Sequence, residues 1–265
     1  MALDTYAAGV LLVFASAIAS VLGLLGIRRL LRGRDLLSCH DVGGYLLSIV
    51  GTLYAVILGL IVVDSMSKFQ EARLTTEQES NSLANVLILA NQLPQDQRDE
   101  TQRHARVYIE RVVNDEWPHM AQGGSSAEAR KAAIRLIDTV TDFEPTTEKE
   151  QAIYAAQLES LCQFWDSRRT RTVAAAHGVP SLEWVVLLGG GGLTVAFTYF
   201  FKLEHLRIQV IMTVMVSTII ALNLYLVLMF GYPFSGDMKI SPESFQVGDV
   251  LVEPLGPESQ GPSHR

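Results

Sequence analysis

Glu116 and His119 stand three residues apart, the spacing at which a helix offers a carboxylate and an imidazole to one metal ion. The pair occurs once, Pro118 lies inside it, and a local polar turn explains it better than a metal centre. The 6 histidines, His40, His104, His119, His177, His205 and His264, form no HExxH. His104, Tyr108 and Asp115 could share one helix face, as a polar helix surface does. Cys39 and Cys162, the 2 cysteines, lie far apart and read as separate thiols. Gly189, Gly190, Gly191 and Gly192 form no phosphate loop, because no strand precedes them and no Lys-Ser/Thr follows. With no GxSxG either, the sequence presents no catalytic set, no metal site and no cofactor site.

What must position these residues is a membrane. Tyr6–Ile27, Val42–Val63, Leu182–Phe201 and Ile208–Phe230 are each about 20 residues or more of nearly uncharged chain, enough to cross a bilayer as a helix. The first run is too long for a signal peptide core, and residues 1–5 carry only Asp4, so it is expected to stay as a membrane helix. The expected fold is all-α. Residues 1–63 and 181–232 are two transmembrane hairpins, residues 64–180 an extramembrane helical domain, and residues 233–265 an acidic tail.

The net charge of −7 is uneven. Residues 64–180 hold 13 Lys/Arg against 18 Asp/Glu, a balance of −5 that argues against nucleic-acid binding. Cytoplasmic loops carry the excess of Lys/Arg. Arg28, Arg29, Arg32 and Arg34 cluster in the first short loop, with Lys202 and Arg207 in the second. Lys68, Arg73, Arg168, Arg169 and Arg171 flank the long domain. The four-Arg cluster favours the domain and both tails outside.

The second run is expected to continue as one helix through Leu93, since Asp64–Leu93 has no Gly or Pro and repeats apolar residues at three and four. Pro94 opens a helix to about Glu116, which Trp117-Pro118 ends. Ser125 with Glu128, and Thr147 with Glu150, fit capping boxes for helices reaching about Val140 and Ala176. His177-Gly178-Val179-Pro180 closes the last of these.

Small residues in lipid let helices approach closely. Ala15, Ala19 and Gly23 form one such row, and Gly51, Ala55 and Gly59 another. Leu47, Val50, Tyr54, Ile57 and Ile61 make a bulky apolar face on the same helix, prolonged by Lys68 with Asp64 beside it. That face either meets lipid or lines a constriction. The four glycines are expected to form a packing groove, although a flexible point is the other reading. Thr213 and Ser217 are expected to bond their own backbone, and Asn223 to bond a neighbouring helix.

Four stretches carry a resemblance. They are Gly51–Gly59, Asn114-Asp115-Glu116-Trp117-Pro118-His119-Met120, the tetraglycine span, and Tyr232-Pro233-Phe234-Ser235-Gly236 followed by Ile240–Phe245. In this combination and order the chain resembles the bacterial bestrophin-like integral membrane family. The resemblance implies a pentameric anion channel of the bacterial inner membrane, lined by the second membrane helix, with the helical domain and both termini in the cytosol. Leu47, Val50, Tyr54, Ile57 and Ile61 would then line the pore, the last four as its hydrophobic neck, with Asp64 and Lys68 at its mouth and Lys68 as a ring of charge. Family necks favour phenylalanines, which this face lacks, and Asp64 opposes an anion. Its partners are the lipid bilayer and further copies of itself. The alternative is a non-conducting scaffold or sensor whose helical domain docks another protein. A stator-like proton path ranks last, because only Asp64 and Glu183 approach the membrane zone as acids.

Overall fold

The computed structural model describes residues 4–30, 40–201 and 205–245, with the side chains of 40–43 left aside. Cys39, Arg32, Arg34, Lys202, the His40 side chain and the tail beyond residue 245, His264 included, lie outside the described residues. In chain order come α1 (Tyr6–Leu30), α2 (His40–Ala90), α3 (Gln95–Arg111), a π turn (Val112–Glu116), α4 (Trp117–Met120), α5 (Ala127–Thr141), α6 (Glu148–Ala176), α7 (Ser181–Tyr199), α8 (Leu206–Gly231) and a 3-10 turn (Pro242–Phe245). The described residues are all-α, as the sequence implies. Four helices are long and apolar enough to cross a membrane: α1, α2, α7 and α8.

Two compact units divide the chain. One comprises Met1–Glu71 and His177–Lys239, the other Ala72–Ala176 and Ile240–Arg265. In the first unit α1, α7 and α8 pack together, and their outer sides are bare hydrocarbon: Val10, Leu11, Phe14, Ile18 and Leu22 on α1, Ile211, Met215 and Ile219 on α8. Such sides are stable only against lipid or another apolar surface.

Glycine notches filled by tyrosine rings set the close approaches. The Tyr225 ring lies against Gly9, Tyr199 against Gly23, Tyr54 against Gly190 and Gly191, and Tyr232 against Gly178. At each of these positions a Cβ would collide with the ring. Gly178 therefore serves packing and is not a left-handed helix cap, since Gly123 and Gly236 are the described residues with positive φ. Hydroxyls cross between helices as well: Ser20 on α1 meets Ser217 on α8 at 3.1 Å, and Thr198 meets Thr213 at 3.4 Å. Ser217 also bonds its own backbone as expected, its hydroxyl donating to the Val214 carbonyl at 3.1 Å, so the contacts to Ser20 and Thr198 come in addition to that reading. The expectation for Asn223 is corrected, because its amide donates to the Ile219 carbonyl of its own helix at 2.9 Å.

The start of α1 is tied to the chain after α8. The Tyr6 amide donates to Asp237 Oδ2 at 2.7 Å, the Asp237 amide to the Asp4 carbonyl at 3.1 Å, and the Tyr225 hydroxyl to the Thr5 carbonyl at 3.0 Å. Asp237 thus supplies the acidic cap that α1 lacks in its own first turn.

In the second unit the sequence signals are largely realised, with two shifts. The cap of α5 is Ser126, not Ser125: its hydroxyl oxygen accepts the Ala129 amide at 3.1 Å, and it donates to Asp115. Ser126→Ala is expected to lower stability by about 1 kcal/mol, read as a lower melting temperature, while Ser125→Ala leaves it unchanged. Trp117-Pro118 does not end the helix. The π turn absorbs one extra residue, and the helix resumes with Pro118 in its first turn, where a missing amide costs nothing. Gly123, with φ of 76°, then stops it. The Thr147–Glu150 box forms as read, each residue taking the other's backbone amide at 3.2 Å.

Candidate functional site

Each unit presents one arrangement that calls for explanation. In the first it is the two-sided helix α2. The bulky side is occupied within the chain itself. Tyr54 is 7% exposed and Leu58 7%, and both pack with Leu187 and Val227, with Ile61, Val62 and Ile220 around them. The Tyr54 hydroxyl donates to the Leu187 carbonyl of α7 at 3.0 Å. Leu47, Val50 and Ile61 are half-buried on this side, and Ile57 is exposed at its margin. Lower down, the Phe69 ring meets Phe230 edge-on at 5.5 Å between centroids. The side read as a hydrophobic neck is therefore the side that holds α2 to α7 and α8.

The small-residue row lies on the open part of α2, beside the exposed Ile49, Leu53, Val56, Leu60 and Val63. Nothing approaches a Cβ at Gly51 or Gly59 within 4 Å, and Ala55 is exposed. The close helix approach expected of Gly51, Ala55 and Gly59 is not made inside the protomer among the described residues: bulk reaches α7, and the slim row is left outside. Ser48 and Thr52 join Ala55 and Gly59 on that exposed side, with Thr52 and Gly59 roughly opposite Tyr54 at about 100° per residue. The four glycines divide likewise. Gly190 and Gly191 receive Tyr54, whereas Gly189 and Gly192 have nothing within 4 Å. Past this stretch Lys68 is paired with Asp64 at 2.6 Å, both more than half exposed. Lys68 is the one Lys/Arg between Gly44 and Glu71, and a carboxylate neutralises it.

In the second unit a charged cluster is sealed from water. Glu79 from α2, Glu116 from the π turn and Arg171 from α6 are fully buried, and Arg168 is nearly so. Arg171 reaches Glu79 Oε2 with Nε at 2.6 Å, and Glu79 Oε1 and Glu116 Oε2 with Nη2 at 3.0 and 2.8 Å. Arg168 binds the other oxygen of Glu116, and the Tyr108 hydroxyl donates to Glu79. Two carboxylates thus face two guanidiniums. Burial opposes the Arg171 charge, but Glu79, Tyr108 and Glu116 together outweigh it and hold the guanidinium above its usual range. Burial, reinforced by Glu79, pushes the Tyr108 phenol well above its ordinary range. The Trp117 and Phe245 rings cover Arg171, at 5.0 and 5.8 Å from its guanidinium carbon. The Trp117 indole donates to the Ile240 carbonyl at 3.0 Å, and Ser80 to that of Ser244, which fixes the segment Ile240–Phe245.

This cluster answers the question of Glu116 and His119. Glu116 turns inward to the arginines, while His119 is exposed and sits against the Asp115 carbonyl at 2.7 Å, so the two do not converge. It also removes Arg168 and Arg171 from the surface cations counted beside the membrane. His104 is half-buried and Tyr108 fully buried, so they share no polar surface. Cys162 is exposed. The cluster has a sequence signal of its own: Gln157, Leu161, Phe164, Arg168 and Arg171 follow one another at four and three along the buried side of α6.

The sequence pattern of the Bestrophin-like domain family matches residues 14–245. The chain belongs to the bestrophin-like family. Solved structures agree at the level of the fold. A crystal structure of a bacterial bestrophin homologue from Klebsiella pneumoniae carrying one substitution is 13% identical with TM-score 0.70, covering 91% of this chain and 97% of its own. A second crystal structure of that homologue gives 13% and 0.67, with coverages of 92% and 96%. A crystal structure described as a membrane protein gives 14% and 0.69, covering 91% and 97%. No curated protein matches the sequence. As a bestrophin-like protein with four membrane-length helices, the chain is a multi-pass membrane protein.

Proposed function

We propose that the protein is an oligomeric ion channel of the bacterial inner membrane, its pore lined by α2 from several copies, with Ser48, Thr52, Ala55 and Gly59 toward the axis. The single observation that carries this reading is the open side of α2. Among the described residues it has no neighbour, it is uncharged, and along Ser48, Thr52, Ala55 and Gly59 it is slim where a lipid-facing helix has no need to be. Membership of the bestrophin-like family supports the channel class. The bulky side, Tyr54 with Leu47, Val50 and Ile61, then forms the back of the pore wall. Residues 64–180 form the extramembrane domain.

Preference for anions rests on the family likeness alone, since Asp64 cancels Lys68 on α2. The pore walls contribute hydroxyls and small apolar groups, which discriminate charge weakly. The copy number follows from the mass of the detergent-solubilised particle, for which the family likeness suggests five.

Thr52→Cys in a Cys39→Ala, Cys162→Ser background tests the pore assignment. Reconstituted in liposomes, this variant is expected to pass ions until a charged thiol reagent is added, and then to lose most of its current. A current indifferent to modification at Thr52 would remove α2 from the pore, and an electrically silent but correctly assembled protein would leave the scaffold alternative.

A further inference from the structure

The three other membrane helices are tied to one another redundantly. Tyr225 sits in the Gly9 notch and Tyr199 in the Gly23 notch. Ser20 meets Ser217, Thr198 meets Thr213, and the Gln209 amide donates to the Phe201 carbonyl at 2.6 Å. These links are directional, so α1, α7 and α8 form a fixed frame.

The hold on α2 is of another kind. Leu58, Ile61 and Val62 meet Leu187, Val227 and Ile220 through apolar contact, which tolerates sliding and rotation of one helix on the other. One element fixes α2 at a defined height and angle on α7: the Tyr54 ring in the notch at Gly190 and Gly191. A Cβ at Gly191 would lie 2.9 Å from the Tyr54 hydroxyl oxygen and 3.1 Å from Ile220, and one at Gly190 would fall within the ring. The hydroxyl then bonds the Leu187 carbonyl one turn away on the same helix. Ring and hydroxyl fit only one register of α2 against α7.

Resting on the channel reading above, we infer that Tyr54 in the Gly190–Gly191 notch is the detent that sets the position of α2, so that the pore's conducting state is governed by whether the ring is seated. Seating orients Thr52 and Gly59 to the outside. Leaving the notch frees α2 to turn and brings other residues to the axis. Two packings of one interface, separated by a small free-energy gap, are the usual basis of such a switch.

The test compares the full-length protein in lipid with Tyr54→Phe, Gly190→Ala and Gly189→Ala, by hydrogen exchange along residues 47–62 and by single-channel recording. Gly190→Ala strikes the ring, Tyr54→Phe removes only the hydroxyl, and Gly189→Ala meets open space. Faster exchange on α2 is expected in the first two and wild-type exchange in the third. Open probability should shift about fivefold in Tyr54→Phe, the size set by losing one net buried hydrogen bond from one of two states. Conducting wild-type protein with exchange and gating unchanged in Tyr54→Phe and Gly190→Ala overturns the detent alone. Equal effects of Gly189→Ala and Gly190→Ala overturn it too, by pointing to helix propensity instead. A silent wild-type protein overturns the channel reading, and the gating role with it.

Discussion

Arg171→Met should be the most damaging single substitution in the helical unit, costing about 3–5 kcal/mol. Met matches much of the side-chain volume but leaves Glu79 with no cation beside it and Glu116 with the Arg168 guanidinium alone. A buried carboxylate without a counter-charge either takes up a proton or draws in water, and either disrupts the covering by Trp117 and Phe245. The expected result is a large fall in the melting temperature of the detergent-solubilised protein, with aggregation near ambient temperature. Exchanging Glu79 and Arg171 together, as Glu79→Leu with Arg171→Met, should recover part of the loss, because an apolar pair carries no desolvation penalty. A single variant that melts with the wild type would show that the cluster contributes nothing.

Gly59→Phe is expected to have the largest effect on conduction, lowering single-channel current on the order of tenfold. Among the described residues nothing lies within 4 Å of a Cβ at this position, so folding should be unharmed. In the proposed assembly every copy would push a ring toward the axis, making a hydrophobic plug. Particle mass and melting temperature serve as controls. Unaltered current from a correctly assembled Gly59→Phe protein would place the pore elsewhere.

The fold was largely legible because its signals are long. Four apolar runs of membrane length, an uninterrupted polar stretch after Val63 and Pro94 as a stop specify α2 almost to its end at Ala90. Which side of α2 faces which neighbour was not legible. Small residues mark close approach and bulky ones mark packing, and periodicity alone does not say whether the partner belongs to the same chain. The answer lay with Gly190 and Gly191, whose need for a ring assigns Tyr54 to α7 and so leaves Gly51 and Gly59 free. Glu116 misled for a related reason. The π turn shifts the helical phase, so a three-residue spacing to His119 no longer means one shared side.

The membrane unit is assembled from the two ends of a divided stretch, with residues 72–176 in between. A ribosome adds roughly 5–20 residues per second, so α1 and α2 enter the bilayer on the order of 5–20 s before α7 exists. Through that interval Ser20 has no hydroxyl to meet, the Gly9 and Gly23 notches stand empty, and the first turn of α1 waits for Asp237. The nascent hairpin is therefore an incomplete object in lipid, and a chain halted after the helical unit would present an unfilled template to the insertion machinery and to membrane proteases.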